Sequence, residues 1–466
     1  MTGSIRYGPP WKLAERTTLI VGMGRSGLAA ARLCVRENAR VKVTDLRDSS
    51  EIDAAMLSGL PVEKRLGEHR LEDFTESDII IVSPGVPLDM PELEAARRAS
   101  VPIIGEVELA ASFLTHLPMI AVTGTNGKST TTALIGAMQG ADGLQPFIGG
   151  NLGRALSEAV LDRTLPKALA LELSSFQLDT CLNLRPDVSV LLNIASDHLD
   201  RHGTFESYQA AKAKIFSRQG SNDSAVVWGD DPAALSMTRG IAPKVYRFIE
   251  GDAPLPGAGY MSCKKKGHAV VTVSVREEDE LEHYHVRASA LRGPHNMANA
   301  AAAALACRVA GVSARAVQHA LEVFPGLPHR LERVRVRQGV EWINDSKATN
   351  PESAKVALLS FSAGAIWIAG GRGKGLGYSS LVEAAAGRVK ALLCIGEDGP
   401  LIAEQAQGFV DVVENCGTLD SAVSRAASIA STGDVVLLSP ACASYDQFGD
   451  FEERGAHFRR LVEALQ

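Results

Sequence analysis

The sequence predicts an α/β protein of three domains, each built on a mostly parallel sheet. Three observations lead there. The chain has 466 residues, room for roughly three domains of about 150 residues. Short apolar runs ending in glycine or serine alternate with helix-patterned stretches along its whole length, the pattern of strands joined by helical crossovers. Two glycine-rich turns each follow an apolar run and open a helix pattern, at Gly22–Gly27 and at Gly124–Gly127. Composition agrees: 45% hydrophobic, 22% charged, 43 glycines and only 5% aromatics suit cores of small residues.

The remaining bulk properties narrow the function classes. A net charge of −6 gives no reason to expect nucleic-acid binding. The dense basic run, Lys264 to Lys266, reads as a solvated hairpin tip. No stretch approaches the roughly 20 apolar residues of a membrane span, and "MTGSIRYGPPWKLAE" lacks the apolar core of a signal peptide. The seven cysteines are scattered, odd in number and without a C-x-x-C pair, as expected of reduced thiols in a cytoplasmic protein. A monomer is expected.

The first domain, 1–106, begins with the strand "TTLIVGMG", then a helix with Leu28, Ala31 and Val35 on one face, then the strands "ARVKVTD" and "DIIIVSPGVP". The second, 107–326, has "MIAVTG" as a strand, "KSTTTALIGAMQ" as its helix, and "ALALELSS" and "DVSVLLNIAS" as further buried strands. "TFESYQAAKAKIFSRQ" predicts a helix of about 16 residues. The segment 250–290 reads as hairpins, and "PHNMANAAAAALACRVAG" as a helix packed closely on a neighbour. Glycine and two prolines in "FPGLPHRLE" make a linker. The third domain, 327–466, has the strands "VEWIND", "AIWIAGG", "KALLCIGE" and "DVVLLSPA", and closes on the amphipathic helix "FEERGAHFRRLVEALQ". No repeat of fixed short period appears.

Gly22, Gly24 and Gly27 form G-x-G-x-x-G between a strand and a helix, with Asp45 ending the next strand. This is the context of a Rossmann-like fingerprint, in which bare backbone lets a pyrophosphate approach the helix N-terminus. Three readings fit it: a nicotinamide cofactor, another pyrophosphate ligand such as a UDP-sugar, or a tight turn that only packs helix on sheet. Ser83, in "SPGVP", lies at the carboxyl end of a strand, where ligands bind in open α/β sheets.

"TGTNGKST" departs from the usual phosphate loop, G-x-x-x-x-G-K-[ST], because Val122 stands where the first glycine belongs. The parts that hold phosphate are nonetheless present. Gly124 and Gly127 free the backbone to curl, Lys128 can reach terminal phosphates, and Ser129 offers a hydroxyl to Mg²⁺. A magnesium site needs hard oxygen ligands, and Glu172 ends an apolar strand, a costly place for a carboxylate without a partner. His198 follows the next strand in the same way, though simple surface placement fits it too. The His198–His202 spacing is that of a zinc helix, but Gly203 ends the segment at once. Lys212, among alanines, fits either a lysine snorkelling to solvent or one whose amine, near a dication, takes up CO2 as a carbamate.

Taken in order, "GTNGKST", "LELSSFQL", "SDHLDRHG", "AAKAKIF", "GPHNMANAAAA", "GLPHR", "NDSKATNP" and "LSPACASYDQF" resemble the Mur ligases, ATP-dependent amino-acid ligases of peptidoglycan precursor synthesis. The resemblance covers nearly the whole chain. It implies a UDP-binding Rossmann-like first domain, a P-loop ATPase-like centre and a Rossmann-like C-terminal domain that receives the amino acid. Gly24, Ser26, Gly27, Asp45 and Ser83 become candidates for the UDP site, and the redox reading recedes. Gly124, Thr125, Asn126, Gly127, Lys128, Ser129 and Thr130 match the ATP loop, and Asn296, Arg330, Asp345 and Lys347 match further ATP positions. Asn151 matches a position near substrate and phosphates. Ser129, Glu172, His198 and Lys212 match the magnesium site, Lys212 at the family's carbamylated lysine; Lys128, His198, Lys212 and Arg330 are thereby implied in catalysis. Thr349, Lys374, Ser444 and Phe451 match positions around the incoming amino acid, while Tyr445 departs from the leucine of the family pattern. The last two strings, with "FEERG" after them, imply UDP-N-acetylmuramoyl-L-alanine and D-glutamate as the partners joined.

Overall fold

A computed structural model describes residues 11–48, 52, 57–250, 258–265, 268–275, 280–291, 293–361, 364–373, 375 and 377–465. The chain forms two compact units, 1–285 with 298–321, and 286–297 with 322–466. It carries three sheets. Among the described residues no helix is long and apolar enough to cross a membrane.

The first sheet runs, strand by strand, Val62–Leu66, Arg40–Asp45, Thr17–Val21, Ile79–Val82, Ile103–Gly105, all parallel. Thr17–Val21 is the third strand in that order and the first in sequence. The crossovers therefore diverge on its two sides, and its carboxyl end opens a crevice at Gly22. The helix Arg25–Arg36 buries Ala30, Ala31, Leu33 and Cys34 against this sheet, with Leu28 and Val35 at the margin of the contact.

Nine strands form the central sheet, in the order Glu282–Val286, His268–Val273, Ala258–Lys265, Lys244–Glu250, Ser224–Trp228, Val188–Leu191, Met119–Thr123, Ala168–Glu172, Pro146–Gly150. Ala258–Lys265 and His268–Val273 pair antiparallel, so the expected hairpin exists and extends the parallel sheet. Its turn lies outside the described residues. Met119–Thr123 is flanked by Val188–Leu191 and Ala168–Glu172. The phosphate loop thus leaves the sheet between two strand ends, with Leu192 on one side and Leu173 on the other. The alanine-rich helix is Pro294–Val309; Ala300 to Ala306 are buried, which requires side chains this small.

The helix expected over 204–219 is shorter. It runs Phe205–Ala213, capped by the Thr204 hydroxyl, and its last turn tightens to a 3-10 turn over Lys214–Phe216. That tightening turns Ile215 and Phe216 into the core.

The third sheet lies within the second unit, in the order Glu332–Arg337, Val340–Asn344, Val435–Leu438, Ala365–Gly370, Val389–Ile395, Val412–Gly417. Only the first pair is antiparallel. Val435–Leu438 is last in sequence yet third in space, so its end at Ser439 lies beside the ends of Val340–Asn344 and Ala365–Gly370. Each sheet thereby presents one cluster of strand ends, and Ser83, Glu172 and Asp345 lie on or just beyond them.

Candidate active site

The phosphate loop takes its shape from its glycines. Gly124 has φ 147° and Gly127 φ 85°, conformations that cost a Cβ-bearing residue dearly. A Cβ at Gly127 would also run into the Asn299 side chain. The backbone is pinned from the neighbouring strand end: Thr125 N–H donates to Asn193 O (2.8 Å), and Asn126 N–H to the Asn193 side-chain oxygen (2.9 Å). Thr125 Oγ1 also shares a hydrogen bond with Tyr208 Oη (2.9 Å). Lys128 opens the helix Lys128–Ala141 and folds back, its Nζ donating to Gly124 O (2.9 Å) and Thr125 O (2.8 Å). Ser129 is buried just behind it, and Thr130 is half-buried. The loop curls into a helix N-terminus, with the Thr125 and Asn126 N–H groups taken by Asn193 and Lys128 folded back across it.

Lys212 does not snorkel to solvent. It is 2% exposed, and Nζ donates to the same Gly124 carbonyl (2.8 Å) while lying 4.7 Å from the centre of the Tyr208 ring. Burial, with the nearby charge of Lys128, pulls its pKa from 10.5 down to about 7; Asp197 and Glu172 oppose the shift. Glu172 is buried at the end of its strand. One carboxylate oxygen accepts from Asn151 Nδ2 (2.7 Å), and Oε2 is buried with no hydrogen-bond partner. An acceptor-only atom in that state fits a cation ligand. His198 has φ 52°, and its half-exposed ring lies 3.6 Å from the Asp197 carboxylate and edge-on to Phe176. Among the described residues, no three of His, Cys, Asp and Glu converge on one metal-sized position. The unmodified chain therefore offers Glu172 and the Ser129 hydroxyl as oxygen donors, a set that waters and nucleotide phosphates can complete around magnesium.

At the first sheet, Gly27 packs so closely on Gly22 O that a Cβ there has no room, and Ser83 Oγ donates to the same carbonyl (2.7 Å). Gly24 caps the helix with open space beside it, and Ser26 lies in the first turn. Asp45 accepts from Met23 N–H (2.7 Å), from Arg47 N–H (2.9 Å) and from the Arg47 guanidinium. Burial would raise its pKa, but these bonds and the Arg47 charge win and hold it down at about 2. Asp45 is thus spent on shaping the glycine loop, and it presents Arg47 beside it. A cavity of about 190 Å³ opens between the Ser83–Asp89 loop and the helix Ser175–Asp179, walled also by Arg201 and His202. The Arg201 guanidinium donates to Gly85 O and Val86 O (3.2 Å each) and stacks over Phe176. Phe176 lies flat against His202, and His202 meets Tyr208 edge-on. A continuous aromatic path thereby joins the Ser83–Asp89 loop to the phosphate loop.

In the second unit, Asp345 N–H donates to Leu438 O, and its buried carboxylate accepts from Ser439 Oγ (2.8 Å) and Leu331 N–H (3.2 Å). Burial raises its pKa from 3.8 to about 7, opposed by Ser439, Leu331 and the charge of Arg330. Lys347 Nζ lies 4.8 Å from the centre of the Phe451 ring. Thr349 precedes Asn350, which caps the helix Pro351–Leu359. Ser444 is buried, Tyr445 is exposed, and Asn296 is buried with Nδ2 donating to Ala290 O (3.3 Å). Lys374 lies outside the described residues.

Three family profiles match the chain: the MurD-like N-terminal domain over residues 16–105, the Mur ligase middle domain over 122–307, and the Mur ligase glutamate ligase domain over 329–442. The UDP-N-acetylmuramoylalanine–D-glutamate ligase of Anaeromyxobacter dehalogenans is 50% identical over 95% of this chain and 96% of its own. The chain belongs to the Mur ligase family. The ligase of the same name from Myxococcus xanthus is 46% identical over 97% of this chain and 99% of its own. Two solved Thermotoga maritima structures, the UDP-N-acetylmuramate–alanine ligase MurC and the MurF ligase in complex with ADP, share the fold. Each has a TM-score of 0.60 at 18% identity; the former covers 97% of this chain and 100% of its own, the latter 99% of both.

As a Mur ligase the chain is an ATP-dependent ligase. The sequence reading missed several residues that shape the site. Asn193 and Asn299 brace the phosphate loop, Arg201 and His202 wall the cavity, and Arg454 lies beneath the 345–349 loop. Their functional placement is tertiary: each acts on backbone or aromatic surface that the fold brings to it, and the His198–His202 spacing marks His202 only for a zinc reading.

Proposed function

We propose that this Mur ligase joins D-glutamate to the L-alanyl carboxylate of UDP-N-acetylmuramoyl-L-alanine, in the cytoplasm, using ATP. The observation that carries the reading is the pair of lysines on one carbonyl: Lys128 and buried Lys212 both donate to Gly124 O inside a phosphate cradle. Full-length relatives named for this reaction support the choice of substrates.

The L-alanyl carboxylate oxygen attacks the γ-phosphorus of ATP, the bond to ADP breaks, and an acyl phosphate forms. The reaction needs alignment and charge neutralisation more than covalent help from the protein. The loop N–H groups and Lys128 supply both. The D-glutamate amine then attacks the acyl carbon, the carbon–oxygen bond to phosphate breaks, and the amine gives up a proton; His198, half-exposed beside Asp197, is a candidate acceptor.

Lys212 has the environment for carbamate formation. With its pKa near 7, much of it is neutral amine at neutral pH. The neutral amine nitrogen bonds to CO2 and releases one proton, giving a carbamate anion; counted from the buried ammonium, two protons leave. With that anion, Ser129, Glu172 and His198 would hold Mg²⁺, and Glu172 Oε2 is the orphaned oxygen that fits it. Bound there, Mg²⁺ would neutralise phosphate charge.

Phosphate release measured with UDP-N-acetylmuramoyl-L-alanine, Mg²⁺-ATP and a panel of amino acids, each component omitted in turn, tests the reading. Release that requires D-glutamate and the acceptor is expected. Release independent of the acceptor would overturn it in favour of a nucleotide-hydrolysing regulator.

A further inference from the structure

His329 lies in the turn just before Glu332–Arg337 and takes no part in the chemistry above. Its side chain is 13% exposed. Its backbone is held at φ 62°, a conformation that a non-glycine residue keeps only where the surroundings impose it. The His329 N–H donates to Glu332 Oε2 (2.9 Å), its carbonyl accepts from Lys347 N–H (3.1 Å), and its ring Nδ1 lies 3.0 Å from Asn344 Nδ2. The helix Phe451–Ala464 packs on the ring so closely at Gly455 that a Cβ there would strike it.

Asn344 fixes the direction of the ring's hydrogen bond. Its buried side-chain oxygen accepts from Ser346 N–H (3.2 Å), and Nδ2 donates to Glu332 Oε2 (3.0 Å) and Gly455 O (3.1 Å). Those partners turn the NH2 group toward His329, which shares its two hydrogens. Nδ1 is therefore the acceptor and carries no proton. A proton on Nδ1 would set one donor against another, and the contact would be lost. Burial, then the charges of Arg459 and Lys347, hold the ring's pKa below the ordinary 6.5, while Glu452 and Asp450 oppose them. Glu332, 4.0 Å from Nδ1, is already paired with Arg459.

This contact joins two stretches of the site. Asn344 leads into Asp345, and the His329 carbonyl fixes Lys347. On the other side, Arg330 and Leu331 follow His329, the first lending its charge to Asp345 and the second its N–H. We propose that His329 is a positioning residue: its unprotonated Nδ1 locks the 327–331 turn to the 344–347 loop, and protonating the ring weakens ATP binding. The inference rests on the assignment of Arg330, Asp345 and Lys347 to the ATP site.

The test is the KM for ATP of the full-length enzyme from about pH 8 to about pH 5, on either side of the histidine range, in wild type, His329→Asn and His329→Phe. Asparagine offers an amide oxygen in place of Nδ1, does not titrate, and tolerates the left-handed backbone. Dividing the wild-type KM by that of His329→Asn at each pH removes what ATP, Asp345 and His198 contribute by their own ionisation. The ratio is expected to rise roughly threefold to tenfold toward acid, the weight of one hydrogen bond. His329→Phe keeps a ring without an acceptor, and its KM is expected to be raised by a similar factor already at the alkaline end. A flat ratio overturns the positioning role, and it does so whether or not the phenylalanine variant folds. A wild-type KM for ATP in His329→Phe at the alkaline end overturns it as well. Lys347→Ala with an unchanged KM for ATP would overturn the site assignment, and this inference with it.

Discussion

Replacing Lys212 by methionine separates its chemical role from its structural one. The side chain is 2% exposed, and its pKa falls from 10.5 to about 7. At 1.36 kcal/mol per unit, holding it as an unmodified ammonium costs up to about 5 kcal/mol, an order-of-magnitude ceiling. The sign follows. The unfolded chain binds this proton up to pH 10.5 and the native one only to about 7, so unmodified enzyme gains stability as pH rises between them. Methionine fills similar volume and carries no charge. Lys212→Met should therefore melt no lower than CO2-depleted wild type at pH 7, while ligation falls by about a hundredfold or more, as for loss of a group acting on the transition state. The assays are thermal unfolding and phosphate release, with wild type depleted of CO2 and then supplied with bicarbonate as a second arm. Activity that drops on depletion and returns with bicarbonate is expected. Turnover in Lys212→Met within threefold of wild type would refute the reasoning.

Gly127→Ala places a Cβ against Asn299 at φ 85°; the KM for ATP should rise about tenfold or more, and an unchanged ATP titration would contradict the loop assignment. Asp345 has its pKa raised from 3.8 to about 7, so the stability this proton provides is full below pH 4 and lost as pH rises through 7. Asp345→Asn should therefore gain on wild type between pH 5 and 8, by up to about 4 kcal/mol, in denaturant unfolding; parallel curves would contradict it. Arg201→Ala removes the donors to Gly85 and Val86 and the stack on Phe176. The KM for the UDP-linked acceptor should rise several-fold with little change in that for ATP, and equal effects on both would count against the cavity as the acceptor site.

Buried parallel strands are legible because both faces are apolar: "TTLIV", "MIAVT" and "AIWIAG" announce themselves. Several strands that escape notice lie at edges or carry glycine and charge, whereas Ser224–Trp228, "SAVVW", is an interior strand that the sequence reading simply passes over. Val62–Leu66 is "VEKRL" at one edge of its sheet, Glu332–Arg337 is "ERVRVR" at another, and Pro146–Gly150 begins with proline and ends in two glycines. The phosphate loop is legible in the same local way. Lys212 is not: alanines around a lysine fit solvent as well as burial, and only the fold carries its amine to the Gly124 carbonyl. Asp45 shows the opposite case, since the fingerprint marks its position but not that Met23 and Arg47 consume its lone pairs. Arg454 lies in the amphipathic closing helix, whose pattern does not reveal that its guanidinium is buried on Ser346 and Cys442.

The central claim is that the phosphate held by this loop passes to a carboxylate. UDP-N-acetylmuramoyl-L-alanine with its alanyl carboxylate labelled in ¹⁸O tests that directly, by mass spectrometry of the phosphate released during ligation with D-glutamate. One labelled oxygen in each phosphate is predicted, because the carboxylate oxygen leaves with the phosphoryl group. Unlabelled phosphate, with one label kept in the amide and the other lost to water, would contradict the acyl-phosphate account.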